Sequence, residues 1–299
     1  MGGLLNRLAV QTALLATAVL AVVGALVAFQ VGGAVGRAED QHYREHVERA
    51  RDQLQEQVNT FANLTETGAI ILANTPELRE SVAKRDVVAA LSAATSYSAI
   101  VGTPFQSTPG MQIYDARGNL LVRAHSPLNS RQQATPPEVA RVLREGQSLG
   151  GVRQDELLGL VLTGVAPIKA ADGSLAGAIE VMSTIDSGFA MDRAKALDLR
   201  VAVLDTSGVI AASQSNLQVR VEDLPAALAE QEASGTAEIT INQRRFLAAF
   251  VPLVSQTGTT AGHLYVGIEK SVISTSINEA RAKIFRSLAA GLSVALVAA

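Results

Sequence analysis

The chain carries one pattern twice, and no other feature of the sequence limits its fold as much. Ile113-Tyr114-Asp115, then Gly118, then Leu120-Leu121-Val122 read as strand, tight turn, strand. Val203-Leu204-Asp205, Gly208 and Val209-Ile210-Ala211 read the same way 90 residues later, with Asp three positions before Gly in both. Ala166-Pro167 followed by Ala176-Gly177 recurs as Val251-Pro252 followed by Ala261-Gly262, now 85 residues apart. A kept order with a spacing shortened by five is what a shorter loop produces. Two consecutive modules of one kind are expected.

The remainder of the chain frames these modules. Leu8 to Val35 is a run of 28 positions without a charge, where about 20 suffice to cross the hydrocarbon core. Arg7 precedes it, and Arg37, Glu39 and Asp40 follow, a charge bias that puts the N-terminus in the cytoplasm. Ala34-Val35-Gly36 also fits a signal-peptide cleavage site, but the apolar run is far longer than a cleavable one, so an uncleaved anchor is expected. Ala38 to about Ala73 reads as one long helix, with Tyr43, Val47, Ala50, Leu54, Phe61 and Leu64 at three- and four-residue steps. Such a stripe suits a stalk that pairs with a second copy, and equally one that packs on its own domain. Ser271 to Arg286 reads as helix, and Ser287 to Ala299 is free of charge, as the start of a second crossing would be. On that ground the chain is expected to be the front part of a longer protein.

Between these segments the elements can be placed. Thr75-Pro76 opens a second helix, running to about Ala94. Gly102, Pro104, Pro109 and Gly110 form a loop. Strands Met111–Asp115 and Leu120–His125 follow, then a helix opened by a capping box at Thr135-Pro136-Pro137-Glu138 and closed at Gly146. Strands are then expected at Leu149–Arg153, Leu157–Pro167 and Leu175–Ser183, the last after a hairpin turn at Asp172-Gly173. A helical link from Asp186 to Leu197 leads to strands Arg200–Asp205 and Val209–Ser213, a helix near Pro225–Ala233, and strands Thr236–Ile241, Arg245–Val254 and Gly262–Glu269.

Composition narrows the chemistry. With no cysteine there is no disulfide, thiolate zinc site or thiol catalysis, and a net charge of −3 gives no footprint for nucleic acid. No phosphate-binding Gly-rich loop, nucleophile elbow or Ser/His/Asp order is present, so no catalytic residue and no cofactor is assigned. His42 and His46 share a helix face, but no third ligand completes a metal site. Asp115 and Asp205 are paired only by the repeat, and each sits where Asp shapes a turn.

The order helix, helix, strand pair, helix, three strands, then a smaller repeat resembles the double Cache sensor of bacterial transmembrane receptors, over roughly residues 37–286. Arg123-Ala124-His125-Ser126-Pro127 is similar to the Arg-x-His-x-Pro strand of one double Cache subfamily, and Gly159-Leu160 through Pro167, Asp172-Gly173 and Gly177-Ala178-Ile179-Glu180-Val181 also fit it. Leu128-Asn129-Ser130-Arg131-Gln132 departs from it, since a Gly-Asp-Asp stretch often stands there. The resemblance implies an α+β fold: two tandem PAS-like (Cache) modules with antiparallel sheets behind a long N-terminal helix, flanked by transmembrane helices. It divides the chain into 1–36 stub and membrane helix, 37–110 stalk, second helix and loop, 111–186 membrane-distal module, 187–270 membrane-proximal module, and 271–299 exit helix and second membrane segment. It implies a small ligand in the distal module, and a helix displacement passed through the membrane to an output domain.

Seven residues are the candidate ligand contacts. Arg123 and His125 are two apart on a strand and share a face with Leu121. If that face looks under the Pro136–Glu145 helix, they bind an anion or carboxylate; if the Leu120, Val122 and Ala124 face looks inward, both are solvent-exposed. Glu180 sits mid-strand among apolar residues and pairs with Arg123, binds a ligand amine, or makes an internal salt bridge. Tyr97 and Tyr114 are pocket-wall candidates, with core packing as the alternative. Arg153 and Asp155 bracket a turn, reaching either the pocket mouth or only solvent. The expected function is an extracytoplasmic small-molecule sensor of a homodimeric inner-membrane transducer, first of all a chemoreceptor. A histidine kinase, or a cyclase or phosphodiesterase for a nucleotide messenger, is the alternative output. An anchored extracytoplasmic enzyme or a structural protein is the alternative class.

Overall fold

The computed structural model describes residues 2–101, 110–126, 134–205, 211–212, 224–241 and 243–298. The elements are α1 (Gly2–Ala73), α2 (Pro76–Lys84), α3 (Val87–Val101), β1 (Gly110–Asp115), β2 (Leu120–Arg123), α4 (Pro137–Glu145), β3 (Leu149–Asp155), β4 (Gly159–Lys169) and β5 (Leu175–Thr184), followed by α5 (Ser187–Leu197), β6 (Arg200–Asp205), β7 (Ala211–Ala212), α6 (Leu224–Ser234), β8 (Ala237–Ile241), β9 (Arg244–Val254), β10 (Thr260–Glu269) and α7 (Lys270–Ala298). The loop at Gly102, Pro104 and Pro109, the stretch from Pro127 to Gln132, and Gly208 to Ile210 lie outside the described residues.

Two five-stranded sheets carry the duplication. Their orders are β2-β1-β5-β4-β3 and β7-β6-β10-β9-β8, one topology made twice, and the described pairings are antiparallel. The sequence offsets hold in the register. Glu180 lies opposite Gln112 on one side and Val165 on the other. Tyr265 lies opposite Ala202 and Phe250, which are the same positions moved by 90 and 85 residues.

α1 is a single 72-residue helix that unites the apolar run and the stalk. Its stripe enters two cores. Val47, Leu54 and Val58 pack with Leu160 and Leu162 of the first sheet and Val251, Leu264 and Val266 of the second. Further along, Ala69 and Leu72 pack with α2, α3, β1 and β5. The opposite face of each sheet is covered by a short helix: Val139 and Val142 of α4 on the first, Ala227 of α6 on the second.

Contact with the first sheet is close because glycine permits it. A Cβ on Gly164 would lie 2.2 Å from the backbone of Thr65 and Glu66, and one on Gly150 would lie 2.7 Å from the Ala62 carbonyl. At its other end α1 runs beside α7, where Arg281 Nε donates to the Gly32 carbonyl at 3.0 Å.

Several local expectations are corrected. The helix expected from Pro76 to Ala94 breaks at Arg85, which is left-handed at φ 56°. Asp86 then caps a new helix, its carboxylate accepting from the Ala89 amide at 3.0 Å. Thr75 does not cap α2; its hydroxyl donates back to the Leu72 carbonyl at 2.9 Å. The capping box before α4 is not formed either. Pro136 occupies the cap position, Thr135 donates to the Gly118 carbonyl at 2.8 Å, and Glu138 is buried. β2 ends at Arg123, two residues short of the expected His125. β3 runs on to Asp155, and β4 begins only at Gly159.

Candidate ligand site on the first sheet

The face of the first sheet covered by α4 holds an unusual density of buried polar groups. Gln112, Arg123, Asp155, Thr163 and Glu180 are all buried. Strand alternation puts Gln112 and Tyr114 of β1, Glu180 of β5, Thr163 of β4, and Arg153 and Asp155 of β3 on this face. Arg123 joins them through a bulge. Ile113 pairs with Val122 and Tyr114 with Leu120, so Leu121 is the extra residue. Leu120 therefore packs on the α4 side and Leu121 on the opposite core, whereas strict alternation had put Leu121 with Arg123. Arg123 stands opposite Gln112 and is 4% exposed.

Glu180 is at the centre, with no exposed surface. Each oxygen accepts twice. Oε1 takes Arg153 Nε at 2.7 Å and Thr163 Oγ1 at 2.8 Å. Oε2 takes Arg153 Nη2 at 3.1 Å and Tyr114 OH at 3.2 Å. Its ionic partner is thus Arg153, not the Arg123 considered from sequence, and its lone pairs are filled from within the protein. Arg153 reaches across β4 to make the pair, then extends Nη2 to Asp155 Oδ2 at 2.9 Å. Asp155 turns its other oxygen to the amides of Leu157 at 2.9 Å and Leu158 at 3.0 Å. Neither Arg153 nor Asp155 belongs to a solvated hairpin: both lie in β3, with side chains 11% and 2% exposed.

The charges reinforce one another. Burial works against the Asp155 carboxylate, but the two amides and the Arg153 guanidinium outweigh it and hold the carboxyl below its usual range. Burial also opposes the Arg153 charge, and Glu180 more than offsets it, so the guanidinium stays protonated. Burial and the neighbouring Glu180 carboxylate push the Tyr114 phenol far up. The Tyr114 hydroxyl has one proton for two acceptors, Glu180 and the Gln112 Oε1 at 2.5 Å. Turning the Gln112 amide half a turn would give each oxygen a donor. As placed, the Nε2 of that amide is buried with no hydrogen-bond partner among the described residues.

His125 lies in the turn after β2. Its Nδ1 accepts the Met111 amide at 3.2 Å, so the proton of the neutral ring sits on Nε2. That Nε2 is buried without a partner among the described residues. Burial lowers the His125 pKa, with Asp155 and Glu180 opposing and Arg123 adding to the effect, so His125 shares the field of the same cluster.

Six of the seven residues singled out from sequence therefore meet on or beside one face. The seventh, Tyr97, lies in α3 with its side chain outside the described residues. Sequence reasoning passed over Gln112 and Thr163, and read Glu138 only as half of a capping box. Gln112 could have been found as the polar residue two before Tyr114 on a buried strand, and Thr163 as the polar position within an apolar one. His42 is exposed on α1, and no metal-binding group of His, Asp or Glu occurs among the described residues. Asp115 accepts the amides of Arg117 and Asn119, both at 2.9 Å, as a turn-shaping residue does.

A family model described as the double sensory domain of two-component sensor kinase matches residues 41–273. A search of the curated proteins returns no match. Among solved structures, the ligand-binding domain of the Pseudomonas fluorescens chemoreceptor CtaA in complex with L-isoleucine superposes with a TM-score of 0.50 at 15% identity, over 83% of this chain and 99% of that one. The ligand-binding domain of the Campylobacter jejuni chemoreceptor Tlp3 in complex with L-valine gives a TM-score of 0.49 at 13% identity, over 81% of this chain and 97% of that one. At such identities the first likeness is one of fold. With more than half its length matched by the family model, the chain belongs to the double Cache family of sensory domains.

Proposed function

We propose that the first module, residues 111–186, binds a carboxylate-bearing small molecule on its α4 face and that the chain reports this occupancy across a membrane. The observation that carries the reading is the His125 Nε2–H, a buried donor of fixed tautomer with no partner among the described residues, on the same site as Arg123 and the Gln112 Nε2, which likewise has none there. A buried polar group left unpaired costs about 1–3 kcal/mol, and a ligand oxygen would remove that cost. Tyr114, Arg153, Asp155 and Glu180 then hold the floor of the site rather than the ligand itself, because their polar atoms are already engaged with one another.

Anchoring is supported by α1, the one helix among the described residues long and apolar enough to cross a membrane. Val22, Leu26 and Phe29 stand exposed on it, Phe29 by 82%. The remaining divisions are read as 1–36 stub and membrane helix, 37–110 stalk, second helix and loop, 187–270 membrane-proximal module, and 271–299 exit helix and start of a second membrane segment. The sensor faces the periplasm or the exterior. Thr163 touches the Glu180 site, and its neighbour Gly164 touches the α1 backbone. Closure around a ligand would thus press on the stalk without intermediate side chains. Signalling requires that the ligand bind one arrangement of α1 and α7 more tightly than the other. A second copy would pair along the exposed Leu64, Ile70 and Ile71 of α1. The output is read as that of a chemoreceptor; the family description favours a kinase as the second reading.

Calorimetry on the full chain in detergent tests the site, with acetate, succinate and L-isoleucine as probes. A carboxylate that binds the wild type should lose at least about tenfold in affinity, roughly 1.4 kcal/mol, in Arg123→Ala. Unchanged affinity in that variant would refute the assignment.

A further inference from the structure

A cavity lies at the β3 edge of the same sheet, between the modules. It has a volume of about 330 Å³, and its walls include the start of α4, the end of β3 and the β9–β10 hairpin. At roughly 30 Å³ per water-sized group, it has room for a molecule of about ten heavy atoms. Three carboxylate residues line it, Glu138, Asp155 and Glu156, against one cation, Arg153. The Arg153 charge is already committed to Glu180 and Asp155. Asp155 is likewise satisfied, by two amides and Arg153. Glu138 is not: it is 4% exposed, and its Oε2 is buried with no hydrogen-bond partner among the described residues. The opposite wall offers hydroxyl oxygens, where Ser255, Thr257 and Thr259 bond one another at 2.7–3.1 Å and keep lone pairs spare.

We infer that this seam cleft binds a small organic ammonium ion, with Glu138 as its counter-ion and the Thr257 and Thr259 hydroxyls as further acceptors. An anion is excluded by the excess of carboxylates. A metal ion is disfavoured because no group of three or more acidic or histidine side chains is placed to hold one among the described residues. A neutral polyol would give Glu138 a hydrogen bond but no opposite charge, and a buried carboxylate needs both. The cleft borders the polar floor at Arg153 and Asp155, and the donors at Gln112 and His125 are not among its walls. An occupant would touch both modules beside an existing tie, the hydrogen bond from Gln256 Nε2 to the Gly150 carbonyl. Binding would therefore stiffen the junction between them.

The test uses the full chain in detergent, by thermal shift and calorimetry, with ethanolamine and putrescine as ammonium probes, ethylene glycol as the uncharged control and acetate for the other site. An ammonium probe at about 10 mM should raise the melting temperature by mass action, and ethylene glycol should not. Glu138→Gln should weaken ammonium binding at least about tenfold and leave any acetate response intact. Thr257→Val with Thr259→Val, which leaves α4 untouched, should weaken it a few-fold. Equal ammonium affinity in Glu138→Gln, no response to either ammonium probe, or equal responses to ethylene glycol and ethanolamine would overturn the proposal. Should Glu138→Gln fail to fold, unchanged ammonium affinity in the threonine pair would overturn it as well. Loss of the acetate response in Arg123→Ala with the ammonium response kept separates the two sites; an acetate response insensitive to Arg123 would sink the carboxylate reading alone.

Discussion

The two sheets share one strand order and one register, yet their outer faces are built from opposite materials. Where the first has Gln112, Glu180 and Val165 side by side, the second has Ala202, Tyr265 and Phe250. In the first, the central residue is a carboxylate that organises four hydrogen bonds. In the second, the Phe250 and Tyr265 rings lie 5.9 Å apart and fill the space with Ala202, Ala248, Ile239 and Phe246. The faces turned toward α1 differ too. Gly164 brings the helix backbone onto the first sheet, and its counterpart in the second is Ala249, which carries a Cβ into the core. A duplicated fold has thus kept its backbone plan while one copy holds a polar floor and the other an apolar plug. A polar floor can exchange partners with a ligand; an apolar plug can only pack.

Substitutions can break this contrast. The largest effect is expected from Glu180→Ala, which takes the Nε partner from the buried Arg153 and leaves it only Asp155 as an ionic partner, and should cost about 3 kcal/mol in urea unfolding. A loss below about 1 kcal/mol would mean that the pair behaves as a surface ion pair. Gly164→Ala drives a methyl into the α1 backbone and should cost about 1–3 kcal/mol, whereas Ala249→Gly in the second sheet should cost only about 1 kcal/mol. Equal costs would show that α1 sits no closer on one sheet than on the other. Tyr114→Phe removes a donor from Glu180 and should cost about 1–2 kcal/mol. Tyr265→Phe removes a buried hydroxyl that has no partner among the described residues, so chemical denaturation should find it neutral or more stable. If both tyrosines responded alike, the second face would not be the apolar plug described.

The smallest effect is one of pH. Burial lowers the pKa of both His125 and His263. Between the folded value and about 6.5, the unfolded chain holds more protons than the native one. Their contribution to stability is therefore fully present above that window and lost as the pH falls through it. The melting temperature should decline from about pH 7 to pH 5, and His125→Gln or His263→Gln should each flatten the decline. An unaltered slope in the double variant would show that neither ring titrates with unfolding.

Some of this was legible before any coordinates. The Asp-x-x-Gly turns and the 90- and 85-residue offsets predict which residues occupy equivalent positions, and Tyr265 does stand where Glu180 stands. Arg153 with Glu180 was not legible. The two are on strands separated by β4, so their meeting depends on strand order and on the reach of one long side chain. The burial of Arg123 depends on a single extra residue at Leu121, which alternation in a one-dimensional string cannot register. Glu138 read as half of a capping box because its spacing was right; the cap is a proline, and the carboxylate turns inward.

Periodicity, turn chemistry and repetition are local, so the amino-acid order alone decides the helices, most of the strands, the duplication and the long apolar entry helix. Pairings between distant strands, and the burial that makes a charge costly or useful, arise only when the sheet closes. For that reason the folded arrangement, and not the order of residues, decides that Glu180 is saturated and that His125 and Glu138 are left waiting for partners.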